Sequence, residues 1–316
     1  MLYYKFSDYL KGKYGQKVYK LPLNLPVTCP NRDGCLGVGG CIFCGEEGAG
    51  FETLSSILSI SEQLKENKAY IGRNYGASKF IAYFQNYSNT YLPLSDFKCA
   101  TFEACQEDIV ALYISTRPDC IGDEYIEVLS QIKKDKNVDI VVELGLQTVN
   151  YHTLEKLGRG HGLAEFIDAV TRLKQKDIGI CAHYIVDLPD DDLMDVIEGA
   201  KIISSLGIEQ VKCHSLYILE GTVLGEMYKK GEVSHISFDD FLERTISFLE
   251  YLDPNIVIQR LLGRAPEEKS LFCNFSMSWW KIKDIIEEKM ISGGKYQGSR
   301  FKYLNGSKTL GKFRNM

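Results

Sequence analysis

No stretch of the chain approaches eighteen consecutive apolar residues, so nothing reads as a membrane-spanning helix. The opening MLYYKFSDYLKGKYGQK holds no apolar segment of signal-peptide length. The expected compartment is therefore the cytoplasm, where ten cysteines favour reduced thiols and metal ligation over disulfides. Acidic residues are missing from 289–316, which carry seven Lys or Arg, and residues 1–24 set five Lys against Asp8 alone. Since the whole chain has a net charge of −5, the middle is strongly acidic. Such a chain reads either as a polyanion binder that grips with two basic ends or as a body with solvated tails. The 316 residues, 45% hydrophobic and 25% charged, suit one large α/β domain with an extension.

Four of the cysteines crowd into CPNRDGCLGVGGCIFC, Cys29 to Cys44. Pro30, Asn31, Asp33 and the glycines Gly34, Gly37, Gly39 and Gly40 mark this run as loop, able to wrap closely round something small. Thiolates suit zinc, copper(I) or an iron–sulfur cluster. Structural zinc sites usually come as two short cysteine pairs, and only Cys41-x-x-Cys44 is short here. Three cysteines on a cubane would leave one iron open. The cysteines alone leave zinc and cluster equally open.

Strand-like and helix-like runs alternate. KVYKLPLNL (17–25), KFIAYFQN (79–86), IVALYIST (109–116), VDIVVELGLQ (138–147), IGICAHYIVDLP (178–189), IEQVKCHSLYIL (208–219) and NIVIQRLLG (255–263) read as strands. Helices fall between them, the first capped by Ser61 and a later one, 237–252, by Ser237 with Asp240. This order predicts a parallel sheet with covering helices. Glu143, His183, Lys212, His214 and Arg260 interrupt apolar strand text, which would be costly in a sheet packed on both faces. In a barrel, alternate residues point inward and can line a site. The expected fold is α/β: a partial or near-complete parallel (β/α) TIM-type barrel with a small C-terminal extension and its site at the C-terminal strand ends.

Each polar residue has a functional and an ordinary reading. Arg117 in TRPDC could hold a carboxylate or phosphate, or lie on the surface. Gln147 and Arg159, twelve apart, could converge on one polar ligand; otherwise Arg159 complements a helix end. His183 and His214 on adjacent strands could ligate a metal. Cys181 and Cys213 are expected to face away from those histidines, and Cys99, Cys105, Cys120 and Cys273 to be structural.

The run TCPNRDG…GGCIFC resembles the cluster loop of radical S-adenosylmethionine (SAM) enzymes of the YhcC/YtqA type, which are related to Elongator-type and coproporphyrinogen-dehydrogenase-type cores. FQNYSNTY (84–91), STRPDC (115–120), ELGLQT (143–148), RGH (159–161), HYIVDLP (183–189), KCHSL (212–216), EGT (220–222) and QRLLG (259–263) match in family order, together covering about residues 5–285. The resemblance implies that Cys29, Cys41 and Cys44 bind a [4Fe–4S] cluster whose open iron takes SAM. It places Gln147 at the SAM ribose, Arg159 at its carboxylate and His183 in contact with SAM, with Gln85 and Glu143 in the same cofactor-binding set. Lys212 and His214 are expected to line the substrate side as catalytic residues. Cys35 and Asp187 depart from the family pattern, which has a non-cysteine and a glycine there. On this reading residues 1–230 form the core barrel with its basic N-terminal segment, 231–290 an extension, and 291–316 a basic, poorly ordered tail. The resemblance points to wobble-uridine side chains of tRNA as substrate and to an electron donor such as flavodoxin or ferredoxin. A small-molecule substrate is the alternative within this chemistry. A zinc-dependent barrel hydrolase using His183, His214 and Glu143, or a nonenzymatic metal scaffold, are the alternatives outside it.

Overall fold

A computed structural model describes residues 1–45, 53–263 and 269–310. The strands are β1 (Val18–Leu23), β2 (Lys79–Phe84), β3 (Ile109–Thr116), β4 (Asp139–Gln147), β5 (Gly179–Ile185), β6 (Gln210–His214), β7 (Ile218–Leu219), β8 (Val257–Arg260) and β9 (Ser270–Phe272). The helices are α1 (Phe6–Tyr14), α2 (Ile60–Tyr75), α3 (Leu94–Glu103), α4 (Asp123–Lys136), α5 (Tyr151–Lys156), α6 (Leu163–Gln175), α7 (Leu193–Ser205), α8 (Val223–Lys229), α9 (Phe238–Tyr251), α10 (Trp279–Ser292) and α11 (Ser307–Leu310). Seven strands form one all-parallel sheet in the order β1-β2-β3-β4-β5-β6-β8, while β7 and β9 make a small antiparallel pair. The large sheet is a curled half-barrel, so the expected partial TIM-type barrel is what the chain forms.

The side-chain period of two separates the faces. Phe84, Leu112, Val142, Ala182 and Val211 pack outward beneath the helices in the main core. Ile81, Tyr83, Ala111, Tyr113, Val141 and Cys181 form a second cluster on the inner face. Leu10 of α1 belongs to that inner cluster, with Phe6, Tyr9 and Tyr14 against it, so α1 plugs the half-barrel. The Phe6 and Tyr113 rings lie edge to face at 6.1 Å. Tyr4 O accepts from Ile258 N at 2.8 Å, which lays residues 4 and 5 beside the β8 edge.

Four expectations change. Cys181 shares the inner face with His183, because residues two apart on a strand point the same way; only Cys213 faces outward. Helix α2 is capped two residues early, by Ser59 in a reciprocal capping box with Glu62. The sixth strand does not run to Leu219. It stops at His214 because the Leu216 N–H donates to the Asp187 carboxylate at 2.6 Å instead of to a strand neighbour. Residues 293–305, expected to be loose, are tied down. Gln297 Nε2 donates to Asp253 O at 2.7 Å and Ile256 O at 2.8 Å, its Oε1 accepts from Tyr4 N at 2.9 Å, and Tyr303 Oη donates to Tyr251 O at 2.7 Å. Lys312, Phe313 and Arg314 lie outside the described residues. Among those described, no helix is long and apolar enough to cross a membrane.

Candidate active site

A cavity of about 770 Å³ opens over the C-terminal ends of the inner strands. Cys29, Cys41, Cys44, Gln85, Glu143, Gln147, Arg159, His183, Lys212 and His214 all line it, so residues spread over 186 positions meet at one site. Cys35 is exposed on the outside of the loop and does not line the cavity.

The cysteine loop is shaped by short-range backbone bonds, Arg32 N to Cys29 O and Gly40 N to Asn31 O, both 2.8 Å. Gly40 adopts φ +97°, and a Cβ there would press on the Arg32 side chain at 3.3 Å, so this position calls for glycine. Buried Asn31 ties the loop to the LGRGH segment, donating to Gly158 O at 2.6 Å and Arg159 O at 3.1 Å. Each of the three lining sulfurs faces nitrogen donors. Cys41 Sγ has Asn31 Nδ2 and Arg159 Nη1, each at 3.4 Å; Cys44 Sγ has Arg32 Nη1 at 3.8 Å; Cys29 Sγ has Arg117 Nη1 at 4.0 Å. Three guanidinium groups around three sulfurs suit thiolates better than thiols. Burial, reinforced by the neighbouring Cys41, raises the Cys44 pKa, a cost that a bound metal removes by taking the thiolate.

Gln147 and Arg159 come together at the end of β4. Both side chains overhang Gly145, where an added Cβ would meet Gln147 Nε2 at 2.9 Å and Arg159 Nη2 at 3.1 Å. Gln147 sits at φ +70° on the irregular end of β4. Arg159 is steadied by Gly145 O at 3.2 Å and by His161 Nε2 at 2.7 Å, while its Nε, also buried, has no partner. Burial, then Arg159, pushes His161 down to about 2, leaving a neutral ring that accepts from the guanidinium.

The floor is a buried ionic cluster. Glu143 Oε1 meets Lys20 Nζ at 2.5 Å, and Oε2 meets His183 Nε2 at 2.7 Å and Lys212 Nζ at 3.1 Å. Burial would raise the Glu143 pKa, but Lys20, Lys212 and His183 outweigh it and hold the carboxyl well below its usual range. Burial, then Lys212, moves His183 down to about 4. With Glu143 ionised, the His183 Nε2–H donates to it and Nδ1 remains an acceptor. Lys212 is brought down to about 7 by burial, against the pull of Glu143, and also donates to Tyr83 Oη at 2.7 Å. Among the described residues, Glu143, Cys181 and His183 offer ligand atoms within 4.8 Å of one another, as a zinc site would need. Two ammonium groups share that carboxylate and would repel a divalent ion, and His214 faces the Arg260 guanidinium instead. The zinc hydrolase expectation therefore loses its centre. Sequence reasoning also passed over Asn31, Tyr83, Arg32 and His161, whose roles depend on partners more than ten residues away or on burial.

Asp187 is buried and does not line the cavity. Burial raises its pKa to about 7, partly offset by the Leu216 N–H. A group with a raised folded pKa contributes stability below its unfolded pKa, near 3.9, and loses it as pH rises through about 7. Asp187→Asn keeps an acceptor and removes the charge. Its stability is expected to fall less than that of the native protein between pH 4 and 8 in urea titrations, and parallel curves would show that Asp187 stays ionised throughout.

Residues 27–220 match the radical SAM superfamily and 208–292 match the radical SAM C-terminal domain. The chain belongs to this superfamily, whose enzymes use a [4Fe–4S] cluster and SAM. It is 31% identical to YtqA of Bacillus subtilis over 310 residues, 98% of this chain and 95% of that one. It is also 31% identical to YhcC of Escherichia coli over 82% of this chain and 83% of that one, and is a member of the YhcC/YtqA group. A tRNA uridine(34) acetyltransferase of Methanocaldococcus jannaschii is 30% identical over 49% of this chain and 28% of its own length. The solved Elp3 of Methanocaldococcus infernus shares the fold, with a TM-score of 0.67 and 16% identity over 89% of this chain and 64% of that one.

Proposed function

We propose that Cys29, Cys41 and Cys44 hold the [4Fe–4S] cluster, and that Gln147 and Arg159 bind SAM beside Gly145. The observation that carries this reading is the set of three sulfurs, each facing a guanidinium, at one mouth of a half-barrel cavity. When bound, the cluster and SAM supply the radical that removes a hydrogen atom from the substrate. The chain's own residues position and shield that chemistry. The orphaned Nε of Arg159 suits a carboxylate, Gln85 lines the same wall, and His183 offers Nδ1 to a ribose or amino proton. Glu143 is fully enclosed, so it acts through His183 and Lys212 by fixing their orientation and charge. Lys212 and His214 stand on the substrate side, where neutral His214 and a readily deprotonated Lys212 can hold or move a proton.

We infer tRNA as the substrate, with the wobble-uridine side chain as the reacting group. Kinship to proteins named for tRNA uridine-34, and two basic segments, support this. A small molecule is the second reading. It is favoured by the fact that Lys289, Lys295 and Arg300 already meet Asp239 or Glu250 and so are less available to phosphates. Comparison of modified nucleosides in bulk tRNA from cells with and without the gene separates the two. Deleting residues 291–316 would remove the Gln297 anchor, so the binding test uses Lys302→Gln, Lys308→Gln, Lys312→Gln and Arg314→Gln together. Filter binding at several salt concentrations is expected to show weaker tRNA binding and a salt slope reduced by roughly 0.7–0.9 per lost phosphate contact. Unchanged slopes would remove the tail from the interface, and unchanged nucleosides would favour the small molecule.

A further inference from the structure

The cations that line the cavity, and Lys20 beneath Glu143, can be paired off one by one. Arg32, Arg117 and Arg159 face the cysteine sulfurs, and Arg117 also has Asp119 at 2.7 Å. Lys20 and Lys212 share Glu143. Arg260 is left over. Its Nη2 lies 2.7 Å from His214 Nδ1, its Nε is buried with no partner, and no carboxylate among the described residues pairs with it. Burial, then Arg260 itself, holds His214 well below the usual histidine range, so this neighbour accepts a hydrogen bond and brings no negative charge. A half-buried guanidinium with a buried, unpartnered Nε and no carboxylate beside it among the described residues favours a ligand that brings an anion.

Its position in the sheet is specific. Strand β8 adds to the β6 edge with Lys212 directly opposite Arg260, and Lys212 is in turn opposite His183 on β5. A row of three nitrogen-bearing side chains thus crosses three strands, and Glu143, two residues before the Gly145 that faces His183, is saturated by other partners. Residues 257–260 also lie beyond the segment matching the superfamily core, in the part matching the C-terminal domain. Arg260 is therefore an addition to the shared cofactor-binding framework.

We propose that Arg260, backed by Lys212 and oriented by His214, receives an oxoanion of the substrate, a carboxylate or a phosphate, on the β6–β8 side of the cavity. The planar fork of the guanidinium can donate two parallel hydrogen bonds to either group. This rests on the radical SAM reading of the cavity and names the charge of the substrate that enters it; it does not require that the substrate be tRNA.

The test uses the full-length protein, Arg260→Gln and Arg260→Lys. Melting temperatures are measured at pH 7 in sodium acetate, sodium phosphate and sodium chloride at equal ionic strength. Each protein is its own reference in chloride, so a destabilised variant is still readable, and general salt effects cancel in the comparison. Acetate or phosphate is expected to raise the native melting temperature by a few degrees over chloride. Arg260→Gln should lose that increment, and Arg260→Lys should keep part of it. A rise with acetate alone assigns a carboxylate; a rise with phosphate alone assigns a phosphate. No increment in the native protein, or the same increment in Arg260→Gln, overturns the proposal. In the cluster-loaded enzyme, Arg260→Gln is expected to raise the half-saturating tRNA concentration for 5′-deoxyadenosine release by about ten- to hundredfold. If tRNA fails to stimulate release while the anion increment holds, the tRNA reading fails and Arg260 keeps its role. If tRNA stimulates release and no increment is seen, the tRNA reading stands and Arg260 loses its role.

Discussion

Alanine in place of Cys29, Cys41 or Cys44 is expected to leave protein that folds but binds no stable cluster and does not cleave SAM. Each of these thiolates would supply one of only three protein ligands, so the loss of any one removes a third of the chain's hold on the cluster. The effect should be largest at Cys41, the buried member, where substitution also strands the Arg159 guanidinium beside it. Cys35→Ala should behave like the native protein, because Cys35 is exposed and does not line the cavity. Iron and sulfide are counted per chain after anaerobic reconstitution, with circular dichroism as the check on folding. A Cys35→Ala protein without iron beside a Cys29→Ala protein with a full complement would reverse the assignment.

Glu143→Leu is expected to cost about 3–5 kcal/mol of stability, the penalty for leaving buried cations without their counter-charge. Lys20 and Lys212 both depend on this one carboxylate, and Tyr83 and Ser115 pack round it. Removing the charges together should recover part of the loss, so Lys20→Met/Glu143→Leu is expected to be more stable than Glu143→Leu alone. The pH dependence has a definite sign. A carboxyl held well below its usual range contributes stability above its unfolded pKa, near 4.3, and loses it as pH falls towards its folded value. The native protein should therefore lose stability steeply below about pH 4, and Glu143→Gln should show a flatter acid limb. Urea unfolding from pH 3 to 8 measures both, and equal acid limbs would mean that Glu143 is protonated in the folded protein.

The alternation of strands and helices and the inward polar residues were legible because a strand's period of two puts Glu143, and separately Lys212 with His214, on one face however the sheet is assembled. Other features were set by contacts far along the chain. Nothing near Leu216 indicates that its N–H goes to Asp187, and that contact ends the sixth strand. Tyr83 sits in KFIAYFQN and reads as core, yet its hydroxyl accepts from a lysine 129 residues away. Arg260 reads in the sequence only as a polar interruption of QRLLG. Its meaning comes from the β6–β8 register, which joins segments separated by the whole of α8 and α9. Gln297 looked like part of a polar tail, and only its hydrogen bonds to residues 2, 4, 253 and 256 make it an anchor.

The plug and its anchor also bear on how the molecule is made. Residues 2–4 leave the ribosome early, and their partners Glu287 and Gln297 arrive nearly three hundred residues later. Until then the apolar inner face of the half-barrel has α1 against it but lacks the Glu287 and Gln297 contacts that hold residues 2–4 in place. Such a high sequence separation makes closure a late and slow event, with a nascent chain exposed to aggregation in the interval. Assembly of the curled sheet from β1 onward can precede the final latch, which waits for Glu287 and Gln297.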